Sequence, residues 1–380
     1  MPARLPCSER QPFLNLSLSE EKIIRVAVIG AGAFGKNHAR VYHDLQQAGE
    51  PVELVGIVDA NLSRAQSLAA QFNTRAFSTI EDLLRNTDVD AASVAVPTTA
   101  HLAVAKAIME SGLDALIEKP IASTLAEADE LIRVAKQTGR VAQVGHLERF
   151  NPAVRATYPL LTVPMFFEVH RLSIFGPRAL DVDVVLDLMI HDLDIVLSFV
   201  NSPIREIRAV GLPILSPKVD IANVRIEFES GCVANFTASR VSTERVRKVR
   251  FFQPRQYVSV DYSRQDVLVF SVNERAGVEA LAQMENGAQG PLPLSGAAIL
   301  AGAGIEISKP AISLQEPLKA ELVSFLSAVR SRGKPVVSLQ DGRAALDVAL
   351  QILQHIEKHG QRVGLTALVA HSGVAKLQPE

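Results

Sequence analysis

The sequence predicts an α/β fold in two domains: an N-terminal doubly wound parallel sheet and a C-terminal α+β domain with a mostly antiparallel open sheet. Between residues 23 and 145, short apolar runs alternate with amphipathic helical segments, as in a parallel sheet covered by helices. From residue 146 onward, strand-like runs follow one another without helices between them, which indicates antiparallel pairing. The length of 380 residues suits two domains.

The composition excludes several classes of protein. Hydrophobic residues make up 48% and charged residues 21% of the chain, which excludes disorder over most of its length. The formal net charge is -2, so nothing indicates a nucleic-acid partner. Cys7 and Cys232 form no zinc or disulfide motif, and no apolar stretch approaches the roughly 20 residues of a membrane span. We expect a cytoplasmic protein that binds neither membrane nor metal.

The first domain, residues 23–145, is predicted to contain six strands and five helices. Each strand is an apolar run typical of strands buried on both faces, and each helix has apolar residues three or four apart. The strands are predicted at 23–29, 54–59, 74–77, 92–96, 115–118 and 141–144, and the helices at 35–47, 63–72, 80–85, 101–111 and 124–138. The polar residues 1–22 show no period and are expected to form a flexible leader.

The second domain, residues 146–380, is predicted to contain seven strands and three helices. The strands are expected at 166–172, 205–212, 222–229, 233–239, 246–252, 256–262 and 267–272, with a helix at 183–200. Residues 274–315 are rich in Gly and Ala, so we expect a long, partly mobile loop there. Pro317 opens a helix that runs to residue 332, and a final helix over 341–359 is expected to end at Gly360.

A glycine-rich turn between the first strand and the first helix predicts a phosphate-binding site. Residues 30–35 read Gly-Ala-Gly-Ala-Phe-Gly, the G-x-G-x-x-G pattern in the strand–turn–helix context that gives it meaning. Gly30 permits the tight turn, Gly32 lets the backbone approach a pyrophosphate, and Gly35 lets helix and strand pack closely. With Ala33 and Phe34, these residues present the helix N-terminus to the anion and predict a Rossmann dinucleotide-binding domain.

Asp59 ends the second predicted strand, where dinucleotide-binding domains carry an acid that accepts hydrogen bonds from the adenosine ribose. A carboxylate at this position also repels a 2′-phosphate, so we expect NAD as the cofactor and NADP to be disfavoured. Arg64 lies nearby in sequence and could soften that preference, because a guanidinium attracts a phosphate.

The segment Glu118-Lys119-Pro120, taken with the glycine fingerprint, resembles the Gfo/Idh/MocA family of NAD(P)-dependent sugar and polyol oxidoreductases. The resemblance extends over nearly the whole chain. Pro97 and Thr98, followed by His101, resemble the segment that this family places beside the nicotinamide. The resemblance therefore implies cofactor contacts at Pro97, Thr98, His101, Glu118 and Lys119. It also implies a homo-oligomer, dimer or tetramer, formed through the outer face of the second sheet.

The resemblance implies a catalytic set of Lys119, Asp187 and His191. A lysine at the carboxyl end of a parallel strand faces the ligand crevice, where an ammonium stabilises negative charge on an oxygen. Asp187 and His191 stand four residues apart on one predicted helical face. The family uses such a histidine as proton acceptor or donor, and the sequence does not decide whether His191 or Lys119 takes the hydroxyl proton. From the residues alone, an ordinary ion pair or a metal site with Asp192 and Asp194 are the alternatives, and the resemblance favours catalysis.

The string Glu148-Arg149-Phe150-Asn151-Pro152 resembles a sub-branch of the family that handles nucleotide sugars, in particular the branch that oxidises the 3-hydroxyl of UDP-N-acetylglucosamine. This resemblance implies that Glu148, Arg149 and Asn151 lie near the sugar or the nicotinamide. Arg171 and Arg178 are then candidate diphosphate contacts, and surface salt bridges are the equal alternative.

Three other functions remain open at this point. An inositol or free-sugar dehydrogenase would use the same residues, and an NAD-dependent glycosidase would use a transient oxidation. A regulator that senses NAD or a sugar would keep the fold without chemistry, and the presence of Lys119, Asp187 and His191 argues against it.

Overall fold

Two sheets organise the computed structural model, which describes residues 22–176, 182–272 and 304–365. The first is a six-stranded parallel sheet and the second an eight-stranded, mostly antiparallel sheet. The predicted fold class is therefore confirmed. The predicted leader, apart from Lys22, lies outside the described residues, as does most of the loop predicted at 274–315. The division of the chain at residue 145 stays a prediction.

The first sheet has the strand order β3-β2-β1-β4-β5-β6, and all of its neighbouring strands are parallel. This order places a change of winding direction between β1 and β4, where such sheets bind ligands beyond the carboxyl ends of their strands. The strands are β1 (Ile24–Ile29), β2 (Val52–Val58), β3 (Arg75–Phe77), β4 (Ala91–Val94), β5 (Asp114–Glu118) and β6 (Ala142–Gly145).

Five helices connect these strands and begin within two residues of their predicted starts. Thr79 and Thr124 cap the third and fifth helices through their side chains, and Gly139 ends the fifth with φ 64°. The helices are α1 (Ala33–Gln47), α2 (Leu62–Gln71), α3 (Ile80–Asn86), α4 (His101–Glu110) and α5 (Leu125–Thr138). Their apolar faces cover both sides of the sheet, so its central strands are buried except at Arg25 of β1.

The second sheet has the order β14-β13-β12-β11-β7-β10-β9-β8, and only its pair β7–β10 is parallel within the described part of the chain. Its strands are β7 (Phe166–Ile174), β8 (Ile204–Leu212), β9 (Ile221–Phe228), β10 (Val233–Ser242), β11 (Val246–Gln253), β12 (Gln256–Asp261), β13 (Asp266–Val272) and β14 (Ile305–Ser308). β14 lies inside the segment predicted as a loop. The sequence analysis missed this strand because a run of four residues is too short to show a periodic pattern, and it forms through pairing with β13.

Helices cover the inner face of the second sheet. A short helix, α6 (Pro152–Thr157), which the sequence analysis missed, leads towards β7, and α7 (Ile190–Phe199) lies over the sheet with Phe199 against Phe167 and Phe251. The helix predicted at 183–200 is not one α-helix, because residues Val185–Met189 form a π-helical turn before α7.

Two C-terminal helices join the two sheets. α8 (Pro317–Ser331) packs Leu322, Phe325 and Leu326 into the core of the first sheet, although sequence analysis assigned it to the second domain. α9 (Leu339–Arg362) packs first against that sheet and then against α7 and β8. No helix in the described ranges is both long and apolar enough to cross a membrane.

The predicted end of the last helix at Gly360 is wrong. α9 continues through the buried Gly360 to Arg362, and Gly364 takes the left-handed conformation, with φ 65°, that ends the helix. The sequence offers two glycines four residues apart, and the packing of α9 decides which of them ends the helix.

We expect Gly35→Ala to weaken folding and Gly32→Ala to leave it unchanged. A β-carbon at Gly35 would lie 1.7 Å from the carbonyl oxygen of Gly30, whereas one at Gly32 meets nothing within 4 Å. Such overpacking costs about 1–3 kcal/mol of the free energy of unfolding. Urea denaturation of the two variants measures the difference, and equal midpoints would contradict the packing role given to Gly35.

Candidate active site

The glycine turn after β1 forms the base of a nucleotide cleft. Gly30 has φ 103°, and a β-carbon there would lie 2.5 Å from the carbonyl oxygen of Ala95, so the turn requires glycine. Gly32, Ala33 and Phe34 stand exposed at the start of α1, where the free N–H groups of the helix face the cleft. These features fit a dinucleotide pyrophosphate.

Asp59 lies half-buried at the end of β2, beside the glycine turn. One carboxylate oxygen accepts a hydrogen bond from the N–H of Ala31 at 2.8 Å, and the other accepts one from the N–H of Asn61 at 2.9 Å. These bonds hold the carboxylate at the rim of the cleft, where its charge disfavours a 2′-phosphate. Arg64 lines the same cleft, as sequence analysis anticipated.

The cleft has a volume of about 620 Å³ and contains most of the predicted cofactor residues. Pro97 lines it, whereas Thr98 and His101 do not. The ring nitrogens of His101, which is 1% exposed, lie 2.9 Å and 3.0 Å from the carbonyl oxygens of Pro120 and Val96. His101 thus joins the segments after β4 and β5, and a direct cofactor contact from its ring stays a prediction.

Lys119 follows β5 at the same edge of the sheet, and its side chain is only 8% exposed. Its ammonium donates a hydrogen bond to the backbone carbonyl of Asp187 at 2.8 Å and lies 3.5 Å from the Asp187 carboxylate. Burial lowers the pKa of Lys119 below its usual value, and the negative charges of Asp187 and Glu118 oppose this effect only in part. The site therefore holds a buried cation with few fixed partners.

Glu118 points away from the cleft and pairs with His38 of α1. The two side chains are buried and their nearest atoms are 2.8 Å apart. Burial by itself would raise the pKa of Glu118, but the hydrogen bond and charge of His38, together with Lys119, hold it below its usual value. The negative charge of Glu118 thus stabilises the Lys119 ammonium, and Glu118 does not line the nucleotide cleft.

The π-helical turn of residues Val185–Met189 brings Asp187 and His191 to Lys119. The prediction that both lie on one regular α-helix is wrong in its geometry, because Asp187 belongs to the wider turn and His191 to the first turn of α7. Such a turn disturbs the regular hydrogen-bond ladder, and here the Asp187 carbonyl accepts from Lys119. The three predicted catalytic residues are nevertheless brought together.

The imidazole of His191 is buried beside this cation. Burial, followed by the positive charges of Lys119 and Arg171, lowers the pKa of His191 well below its usual value. Its Nδ1 has no hydrogen-bond partner among the described residues. A neutral imidazole near a buried ammonium provides one group that can accept a proton and one that can stabilise an anionic oxygen.

His146 was missed by the sequence analysis as a site residue. It directly follows β6, and its ring packs edge-on against His191 with the ring centres 6.2 Å apart. Its position could have identified it, because His146 follows the carboxyl end of β6. The residues that follow β1, β2, β4 and β5 at this edge of the sheet were all predicted as site residues.

The other predicted substrate residues form a buried ion network under α7. Arg171, 3% exposed, donates two hydrogen bonds to Asp192 at 2.7 and 2.9 Å and one to Glu148 at 3.1 Å. Asn151 donates to Glu148 at 3.1 Å. Arg149 pairs in the same bidentate way with Asp194.

This network corrects the expectation that Arg171 is a diphosphate contact. Burial alone would lower the pKa of Arg171, but the charges of Asp192 and Glu148 outweigh it and raise the pKa. The guanidinium is therefore committed to carboxylates inside the protein and is not free at the cleft. Arg178 lies outside the described residues.

Asp192 and Asp194, the acids considered for a metal site, are likewise committed to arginines. In the ranges that the structure describes, no three His, Cys, Asp or Glu side chains converge as metal ligands would.

A glycine-rich cleft lies at the carboxyl ends of β1 and β2, and a buried lysine with a histidine near it follows β5 at the same edge of the sheet. This is the arrangement of a nicotinamide-dependent oxidoreductase. Comparison with protein families agrees. Residues 24–146 match the oxidoreductase family with an NAD-binding Rossmann fold, and residues 162–261 match the GFO/IDH/MocA C-terminal domain. The chain belongs to the Gfo/Idh/MocA oxidoreductase family.

Individual relatives extend the match over almost the whole chain. UDP-N-acetylglucosamine 3-dehydrogenase from Acidithiobacillus ferrooxidans is 34% identical over 341 residues, which cover 89% of this chain and 99% of the relative. Its solved structure superposes with a TM-score of 0.76, covering 88% of this chain and 98% of that one. Inositol 2-dehydrogenase from Acidothermus cellulolyticus is 29% identical over 51% of this chain and 58% of its own length. The protein is thus an NAD-binding oxidoreductase that acts on CH–OH groups.

Removing one charge of the buried network should destabilise the protein far more than removing one at the surface. Asp192→Asn leaves the Arg171 cation buried without its main partner, which costs about 3–5 kcal/mol. Glu227→Gln breaks an exposed pair with Arg205, worth about 1 kcal/mol or less. Chemical denaturation of both variants tests the comparison, and equal losses would show that the network contributes no more than a surface pair.

Proposed function

We propose that this enzyme oxidises the 3-hydroxyl of UDP-N-acetylglucosamine with NAD and yields the 3-keto nucleotide sugar, which an aminotransferase can convert to an amino sugar for lipid A. The observation that carries the proposal is the A. ferrooxidans relative, which matches nearly end to end, whereas the inositol dehydrogenase matches over about half of the chain. The juxtaposition of Lys119, Asp187 and His191 supplies the chemistry that such an oxidation needs.

In the proposed mechanism, the ammonium of Lys119 donates a hydrogen bond to the hydroxyl oxygen of the substrate and stabilises the negative charge that develops there. Neutral His191 accepts the hydroxyl proton, because burial and the Lys119 charge keep its imidazole unprotonated. Asp187 holds the ammonium in place through its carbonyl group. NAD held by the glycine turn and Asp59 would supply the hydride acceptor for the carbon that carries this hydroxyl.

The proposed cofactor contacts are the turn at Gly30, Gly32 and Gly35, the start of α1, and Asp59. The open space at Gly32 lets the backbone approach a pyrophosphate. The Asp59 carboxylate beside the turn favours NAD over NADP, because it repels a 2′-phosphate. Glu148, Arg149 and Asn151 would act indirectly, because the network that they form with Arg171, Asp192 and Asp194 fixes the helix that carries His191.

We further propose that the enzyme forms a homo-oligomer through the outer face of the second sheet. A row of half-exposed aromatic rings crosses four strands of that face, with neighbouring ring centres 4.9 to 5.6 Å apart. The row consists of Phe166, Phe252, Tyr257 and Phe270. An apolar stripe of this kind is typical of an interface, because water contact with it is unfavourable.

The activity is tested by NADH absorbance with UDP-N-acetylglucosamine, NAD, and a 3-aminotransferase with its amino donor to remove the ketone. We expect Lys119→Ala and His191→Ala to lower kcat about 10²–10⁴-fold, as loss of a proton acceptor or charge-stabilising group does, with NAD affinity nearly unchanged. Lys106→Ala is the control, because this lysine pairs with Glu130 on the surface between α4 and α5.

Two results would count against the proposed function. Unchanged turnover in both variants would remove Lys119 and His191 from the chemistry. An inactive wild type that still binds NAD would exclude this substrate, and inositols and free sugars would be assayed next.

The oligomer is tested by light scattering of the wild type and of Phe252→Arg. A charge in the middle of the aromatic row should dissociate the assembly, because burying it without a partner is unfavourable. Gln71→Arg, exposed on α2, is the control. A monomeric wild type, or an unchanged mass for Phe252→Arg, would contradict this interface.

A further inference from the structure

The side chain of His146 is a buried polar group without an assigned role. It is 1% exposed, and neither Nδ1 nor Nε2 has a hydrogen-bond partner within the described residues. Buried polar side chains nearly always have partners, since leaving a donor or acceptor unsatisfied is unfavourable. The two ring nitrogens of His146 therefore indicate a ligand or ordered water at this position.

The backbone of His146 is fixed on both sides of the ring. Its N–H donates to the carbonyl of Val144 at 2.9 Å, and its carbonyl accepts from the N–H of Arg149 at 3.0 Å. The tight turn after β6 and the start of the next helical turn thus set the direction of the side chain. The ring nitrogens are the groups of this residue that remain uncommitted.

The ring of His146 lies beside His191, the proposed proton acceptor. Its edge contact with His191 has the ring planes at 88°. Burial lowers the pKa of His146, the charges of Arg149 and Lys119 act in the same direction, and Asp194 and Glu118 oppose them. A neutral imidazole carries one N–H donor and one acceptor, which is the set that a hydroxyl or amide group can satisfy.

We propose that His146 is a substrate-binding residue that hydrogen-bonds the polar substituent on a carbon next to the one that is oxidised. This inference rests on the proposed function, in which Lys119 and His191 take the reacting oxygen. The ring centres of His146 and His191 are 6.2 Å apart, so we assign His146 to a neighbouring substituent rather than to the same oxygen. Both carbons that flank C3 of N-acetylglucosamine carry such groups, a hydroxyl and an acetamido group.

The test measures binding, so that it does not depend on turnover. Calorimetry gives the dissociation constant of UDP-N-acetylglucosamine for the full-length enzyme saturated with NADH. We expect His146→Phe, which keeps a ring but has no polar atom, to bind the sugar nucleotide about tenfold more weakly. His146→Gln, which donates and accepts, should stay within about threefold of the wild type. Affinity for NADH itself should not change in either variant.

His43→Phe is the matched control, because His43 of α1 packs against Phe72 at the end of α2, away from Lys119 and His191. If His146→Phe does not fold, His146→Ala takes its place in the same comparison.

Truncated substrates separate a direct contact from a structural role. The 4-deoxy analogue lacks the hydroxyl on one flanking carbon, and UDP-2-deoxyglucose has no polar group on the other. For the analogue without the group that His146 contacts, wild type and His146→Phe should bind equally. An equal loss on all three nucleotides, or no loss on any, would overturn the inference.

Failure of the proposed function gives a different result. Wild-type enzyme that does not bind UDP-N-acetylglucosamine excludes that substrate. His146→Phe, His146→Gln and His43→Phe are then compared on myo-inositol and on its two deoxy analogues, one for each carbon next to the oxidised one. A loss that disappears with one of the two analogues supports the role of His146, and a loss that persists with both overturns it.

Discussion

Burial of the Lys119 ammonium is the constraint on which the rest of this site depends. An ammonium taken out of water is costly unless other groups replace the hydration that it loses. Here the replacement comes from the carbonyl and carboxylate of Asp187 and from the charge of Glu118. Lys119 follows a strand of the first sheet, and Asp187 precedes the helix that covers the second sheet. The contact between them therefore joins the two halves of the chain.

The same cation influences the pKa of both of its neighbours. Burial would raise the pKa of Glu118, but His38 of α1 and then Lys119 stabilise its negative charge and hold the pKa below its usual value. Burial, followed by the charge of Lys119, lowers the pKa of His191 and so disfavours a second cation. The helix that begins at the glycine turn therefore also supports, through His38 and Glu118, the buried Lys119. One continuous set of contacts thus links the glycine turn to this lysine.

The charged residues under α7 show how a helix can be positioned without touching a ligand. Asp192 and Asp194 follow His191 on α7, and each is held by a bidentate arginine. A buried pair of this kind adds little net stability compared with an apolar core, but it allows one geometry only. The string Glu148-Arg149-Phe150-Asn151 is therefore important to the site through the position of α7.

Sequence alone determined the parallel sheet, the glycine cradle, Asp59 and the position of Lys119, because each depends on short-range spacing and on the rule that ligands meet the carboxyl ends of parallel strands. The resemblance to the family added Asp187 and His191. Only the tertiary structure decided that a π-helical turn presents Asp187, that Arg171 is paired inside the protein, and that His146 reaches the site. The reason is physical: a charged or polar residue does not carry the identity of its partner, which comes from elements distant in sequence.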